Sequence, residues 1–392
     1  MAQPKSTGAP VEIGQRHRNL QLDVLRGVAI LMVLWCHTFM FRKAGWDAAM
    51  VGGGWAGVDL FFVLSGFLIS GLLFAEYKKT GGVRFRRFAV RRALKLYPAF
   101  YALVLLTVAA RLASHREAAA LVLRGFLSDV FFFQSYSPGT YVHFWSLSVE
   151  EHFYILLPVT LYFLMRRRRT GDSDPFRFLP WLFALVAVLE LGLRLWNGYH
   201  VPFNQQSHLE RSHLRMDSLL FGVLLSYWSN FHGKRFWSFA RAAYPLLFAA
   251  GALLVAPIFF LDHLDRWMYT YGFTLLYLGF GALLVAMLSL NVEAAPQAVR
   301  WGFRIVAYIG TFSYSIYLWH LAWLHALMHS NITALPYAGV AAYFVGAIAV
   351  GIVTSKLVEM PVLRLRERLF PSAAATPERV SAAKAVGVAD AA

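Results

Sequence analysis

The spacing of apolar runs constrains this chain more than any other feature: stretches of roughly twenty apolar residues recur along it, separated by short polar segments. A helix of that length crosses a hydrocarbon core of about 30 Å, and inside lipid only a helix or a closed barrel satisfies its own backbone groups. The runs fall at 22–41, 58–76, 97–111, 144–165, 178–196, 212–229, 243–261, 268–290, 304–328 and 336–358. They predict an all-α integral membrane protein, a bundle of about ten transmembrane helices. Ten such spans use about 200 of the 392 residues and leave connections that average under twenty residues each, too short for a separate domain, so any chemistry has to sit in the bundle or at its edge.

Composition agrees with that reading. At 58% hydrophobic and 15% charged, the chain lies outside the range of soluble domains. Its formal charge of +16 could suggest a nucleic-acid partner, but the cations cluster between apolar runs and form no continuous stripe. The expected contacts are a lipid bilayer and no nucleic acid. With the N-terminus in the cytoplasm, about 26 basic residues fall inside and about 8 outside, which sets the orientation and puts both termini in the cytoplasm. The inside clusters include Lys78, Lys79, Arg84, Arg86, Arg87, Arg91, Arg92 and Lys95, and then Arg166 to Arg169. The predicted division is a polar cytoplasmic segment 1–20, a transmembrane domain 21–365 and a disordered cytoplasmic tail 366–392. No cleavage site follows the first run, which reads as a retained helix.

The stretch 118–134 is apolar, but Arg124 and Asp129 interrupt it. Counting it as a span would also move Arg166 to Arg169 outside, so it reads as an interfacial or re-entrant helix.

Charges at membrane depth each require a partner or a purpose. Arg26 and His37 lie on nearly one face of the first helix, about 16 Å apart along its axis. Asp59 opens the second span at the depth of His37, so an antiparallel pairing would bring carboxylate and imidazole together, the arrangement of a base or nucleophile. Cys36 points about 100° off that face and reads as packing. Arg91, Arg92 and Lys95 exceed what orientation needs and would suit a phosphate-rich cytoplasmic ligand. Glu150, Glu151, Arg215, Asp217 and His320 concentrate in the outer halves of their helices and imply a hydrated cavity there. Arg215 and Asp217 do not share a helix face and are expected to pair elsewhere, with Glu150 or Glu151 as possible partners. Glu190 and Glu359 read at least as readily as structural. No His/Cys spacing suggests a metal site.

Seven of these segments together resemble the acyltransferase-3 membrane proteins. They are Leu22-Asp-Val-Leu-Arg26-Gly with His37 downstream, Gly57-Val-Asp59-Leu-Phe-Phe-Val-Leu-Ser-Gly, and Arg91-Arg92-Ala-Leu-Lys95-Leu-Tyr-Pro98. The others are Trp145-Ser-Leu-Ser-Val-Glu150-Glu151-His-Phe-Tyr, Arg215-Met-Asp217-Ser, Ser313-Tyr-Ser-Ile-Tyr-Leu-Trp-His320 and Glu359-Met-Pro361. They stand in the family's order over residues 20 to 365. The resemblance implies an inner-membrane enzyme without a bound cofactor that takes an acyl group, acetyl by expectation, from cytoplasmic acyl-CoA as co-substrate. The acceptor would be a hydroxyl of a sugar, a glycan or a glycosylated small molecule. By the same resemblance His37 and Asp59 are the catalytic pair, and Arg26, Arg91, Arg92 and Lys95 bind the donor. The family more often has Arg where this chain has Lys95, which keeps the charge but loses the bidentate fork. Some relatives carry an additional hydrolase-like domain; the expectation here is a stand-alone form. A competing expectation is a transporter or flippase of a glycan or lipid-linked sugar using the same charges. Its usual sign, two matching halves with broken helices, is not evident in the sequence.

Overall fold

The computed structural model describes residues 19–41, 48–115, 117–167, 174–330 and 336–371, and the segments read from sequence as a polar N-terminus and a disordered tail lie largely outside them. Fourteen α-helices occur among the described residues. In order these are α1 (Leu20–Cys36), α2 (Ala48–Gly53), α3 (Gly57–Thr80), α4 (Phe85–Ser114), α5 (Ala119–Val130), α6 (Phe144–Arg166) and α7 (Leu179–His200). There follow α8 (Met216–Phe231), α9 (Gly233–Val255), α10 (Phe273–Ser289), α11 (Gln297–Thr311), α12 (Ser313–Met328), α13 (Pro336–Thr354) and α14 (Met360–Leu369). Eight helical segments are long and apolar enough to cross a membrane, which makes this an all-α multi-pass membrane protein.

The other two expected spans deviate for local reasons. The run at 212–229 yields α8, only 16 residues long, because a short helical turn at Ser212–Leu214 precedes it and uses up the first polar residues. The run at 304–328 breaks at Phe312 into α11 and α12, where the last turn of α11 closes on the Phe312 amide instead of continuing. The stretch 118–134 forms the 12-residue α5, about 18 Å long and too short to span. Leu121, Leu123, Leu127 and Phe131 project outward from it, as on a helix lying in an interface.

The centre of the bundle is α1, α3, α8 and α10. The helices α3 and α8 pack closely over their length. They cross at Gly66 and Gly222, where a Cβ on the first would run into the Leu219 carbonyl and one on the second into the Val63 carbonyl. Small residues at a crossing let two backbones approach where lipid supplies no hydrophobic drive to hold them. The helices α7 and α9 lie at the periphery and keep most of their surface outward.

Three turns depart from α geometry with wider i→i+5 bonding: Gln206–Glu210, Met268–Gly272 and Ser355–Glu359. Such turns re-aim side chains, and two of the three end on a buried or cavity-lining glutamate.

Candidate active site

The α1 helix ends at Cys36, and His37 opens a single tight turn, His37–Met40, so the imidazole stands at the helix end. Its Nδ1 donates to the carbonyl of Val33 at 2.8 Å. A carbonyl can only accept, so Nδ1 carries the proton and Nε2 presents a lone pair. The sequence expectation gave the orienting task to Asp59. In the structure a backbone carbonyl performs it, while Asp59 Oδ1 accepts from Arg215 at 2.6 Å and Oδ2 has no hydrogen-bond partner among the described residues.

Both ends of that ion pair are buried, and the Arg215 guanidinium stacks 3.7 Å above the Phe273 ring. Asp217 turns the other way and accepts from Arg194 at 2.7 Å, also fully buried. Arg194 reaches Thr274 and the Leu214 carbonyl as well, and Glu190 accepts from the Asp217 amide at 3.0 Å. Arg215 and Asp217 therefore do not pair with each other, and neither meets Glu150 or Glu151. Their partners lie on α3 and α7, so the two ion pairs tie α8 to its neighbours on both sides.

Two cavities flank this centre. The larger, about 780 Å³, takes in Arg26, Arg91, Arg92 and Lys95 together. Seven cations line it against two carboxylates, Glu76 and Glu150. Arg92 donates to the Tyr154 hydroxyl and stands 3.7 Å from Glu150, whereas Arg91 is held by Glu367 at 2.8 Å. Lys95 makes no hydrogen bond or ion pair among the described residues. Glu150 thus belongs to the basic cavity instead of the outer network expected from sequence. Glu151 accepts from Tyr97 at 3.1 Å.

The smaller cavity, about 180 Å³, is lined by His37, Asp59, His143, Glu210 and Arg215 together with Trp55 and Trp145. Trp55 Nε1, Asp59 Oδ2 and His143 Nδ1, on three of its lining residues, are buried without a hydrogen-bond partner among the described residues. Burial lifts the carboxyl of Glu210, in the connection between α7 and α8, to about 7, against the opposing hydrogen bond from Gln205. Val58 and Tyr317 line both cavities.

Arg26 and His37, on one face of α1, thus open into different cavities, as their axial separation requires. His320 is fully buried behind His37, with ring centroids 5.0 Å apart, and His143 lies 4.8 Å beyond it. His320 Nδ1 donates to the Tyr317 carbonyl, and Nε2 is unpartnered. The three rings are not placed to hold a metal ion. Sequence reasoning missed His143, Tyr317 and Arg194. Arg194 had a usable signal, since an arginine inside an apolar run demands a partner; His143 precedes its run and Tyr317 is one aromatic among many.

Comparison with known proteins places this geometry in context. An acyltransferase domain model of the acyltransferase-3 type matches residues 19–356. The O-acetyltransferase OatA of Staphylococcus aureus (strain NCTC 8325 / PS 47) is 28% identical over 317 residues, covering 76% of this chain and 49% of the relative. A protein provisionally named an O-acetyltransferase from Staphylococcus aureus (strain COL) is 29% identical over 335 residues, with 77% of this chain and 50% of its own length covered. The chain spans about half the length of these curated relatives. No solved structure matches it. With the domain model running through every helix that lines the two cavities except α14, the chain belongs to the acyltransferase-3 family.

Proposed function

We propose that the protein is an O-acyltransferase of the cytoplasmic membrane that moves an acyl group, acetyl in the first instance, from cytoplasmic acyl-CoA to a sugar hydroxyl. One observation carries this reading. Four basic residues singled out for a phosphate-rich donor line one cavity, and that cavity shares a wall with a second one holding an imidazole with a free Nε2.

The phosphates of the donor meet Arg26, Arg92 and Lys95, of which Lys95 is uncommitted and so costs no existing contact. The pantetheine arm follows the face of α1 from Arg26 toward His37. His37 Nε2 takes the proton of the acceptor hydroxyl as its oxygen attacks the thioester carbon, or takes the acyl group first as an acyl-imidazole. In either order the C–S bond breaks, a C–O bond forms and the proton finishes on the CoA sulfur. Asp59 acts through Arg215, and its open Oδ2 accepts from a neighbouring hydroxyl of the acceptor. Trp55 and Trp145 offer the apolar faces on which a sugar ring lies.

The test is release of free CoA from acetyl-CoA by the purified protein supplied with solubilised membranes. His37→Ala lowers the rate by about 10²- to 10⁴-fold, the worth of a placed base, while acetyl-CoA still binds. Undiminished release by folded His37→Ala overturns the role of His37. Sugar flux through proteoliposomes without acyl-CoA, and no CoA release at all, would favour a transporter instead.

A further inference from the structure

The two cavities have Val58 and Tyr317 as their common lining. Val58 stands in the first turn of α3, directly after Gly57 and before Asp59. It cannot be drawn back, because Gly57 lies so close on α1 that a Cβ there would strike the Ala29 carbonyl oxygen. Tyr317, on α12, is buried with its ring edge-on to Phe61 at 6.2 Å. Its hydroxyl donates to the His143 carbonyl at 2.9 Å and hydrogen-bonds Ser146. One of the two shared residues is therefore fixed by backbone contact, and the other is held by hydrogen bonds at the tip of its side chain.

We propose that Val58 and Tyr317 form the passage through which the acyl end of the donor reaches His37, and that, as walls of the small cavity beyond it as well, they restrict the transferred group to short acyl chains. The inference rests on the acyl-transfer reading above. Cations that hold phosphate lie in one cavity and the imidazole in the other, so the thioester carbon has to be brought past these two side chains. It must then come within about 3–3.5 Å of its attacker. Only a slim pantetheine arm stays in the passage during transfer, whereas the acyl chain has to fit beyond it, in a cavity of about 180 Å³ already shared with the acceptor. A surplus methylene in a closely packed site costs about 10- to 200-fold in kcat/KM. Neither residue donates or accepts a proton in the reaction: both are positioning residues that select by size.

The experiment measures CoA release by the purified full-length protein from acetyl-, butyryl- and hexanoyl-CoA, with solubilised membranes as the acceptor source. Wild type is expected to prefer acetyl over butyryl by at least about tenfold. Val58→Ala raises the butyryl-to-acetyl ratio of kcat/KM by about tenfold or more, the room gained being that of two methyl groups. Val58→Trp binds acetyl-CoA as wild type does but loses turnover. Tyr317→Phe keeps the ring and hence the chain-length preference, yet frees its tip, so CoA release without added acceptor rises as water enters. An unchanged ratio in Val58→Ala with wild-type thermal stability overturns the proposal, as does wild-type kcat in Val58→Trp. Should Val58→Trp not fold, Val58→Ala decides alone. If wild type releases no CoA from any donor, the acyl-transfer reading itself has failed and takes this proposal with it; an active wild type with indifferent variants refutes only the passage.

Discussion

The Arg215–Asp59 pair shows how much a single buried residue can govern. Both side chains are almost wholly out of solvent, so removing one strands the other as an uncompensated charge, at about 3–5 kcal/mol. Arg215→Ala should accordingly depress the melting temperature in detergent strongly, and the Arg215→Ala/Asp59→Asn double variant should recover part of the loss. If the single and double variants melt alike, the pair is not coupled. Glu210 allows a test in pH. Its carboxyl, raised to about 7 by burial, is protonated and able to donate below neutrality, and ionised and only able to accept above it. The profile of kcat/KM for the acceptor should bend near pH 7, and Glu210→Gln should remove that bend. At this scale the sequence was informative about identity and poor on partnership. His37 and Asp59 were legible as residues at one depth, and they do line one cavity. That Asp59 faces Arg215, and that the Val33 carbonyl orients the imidazole, depends on helix rotation, which spacing along one strand of sequence does not specify.

At the scale of the helix, the crossing of α3 and α8 leaves little tolerance. Gly66→Leu must push the two backbones apart, since the new side chain meets the Leu219 carbonyl. Overpacking of this kind costs about 1–3 kcal/mol and should lower both the melting temperature and the yield in membranes; a variant of unaltered stability would mean that the crossing is looser than its geometry. Helix existence was readable from the apolar runs because bilayer thickness sets a minimum length. Helix ends were less so. The break at Phe312 has no proline and only Gly310, one glycine among many in the apolar runs, to announce it, and the three wide turns carry no composition of their own. Proline would even have misled: α4, α6 and α9 each contain one and continue through it.

Taken whole, the molecule is asymmetric in charge, with its basic cavity at the end that carries the lysine and arginine clusters and its smaller cavity, which holds His37, Asp59 and Glu210, on the other side of Val58 and Tyr317. The positive-inside rule assigns the basic end to the cytoplasm. In a Cys36→Ser background, Lys234→Cys should react with an impermeant maleimide only after permeabilisation, whereas Val142→Cys, exposed beside the smaller cavity, should react in intact cells. The reverse pattern would invert the orientation. Under the proposed function, the separation of Arg26, Arg92 and Lys95 from His37 has a metabolic corollary. A grip made on the nucleotide end is the same for loaded and spent carrier, because uniform binding does not discriminate what the far end bears. With acyl-CoA as the donor, as proposed, free CoA would occupy the cavity about as well as its thioester and the rate of transfer would follow the ratio of the two pools, so the enzyme would slow as the acyl supply runs down without a dedicated regulator.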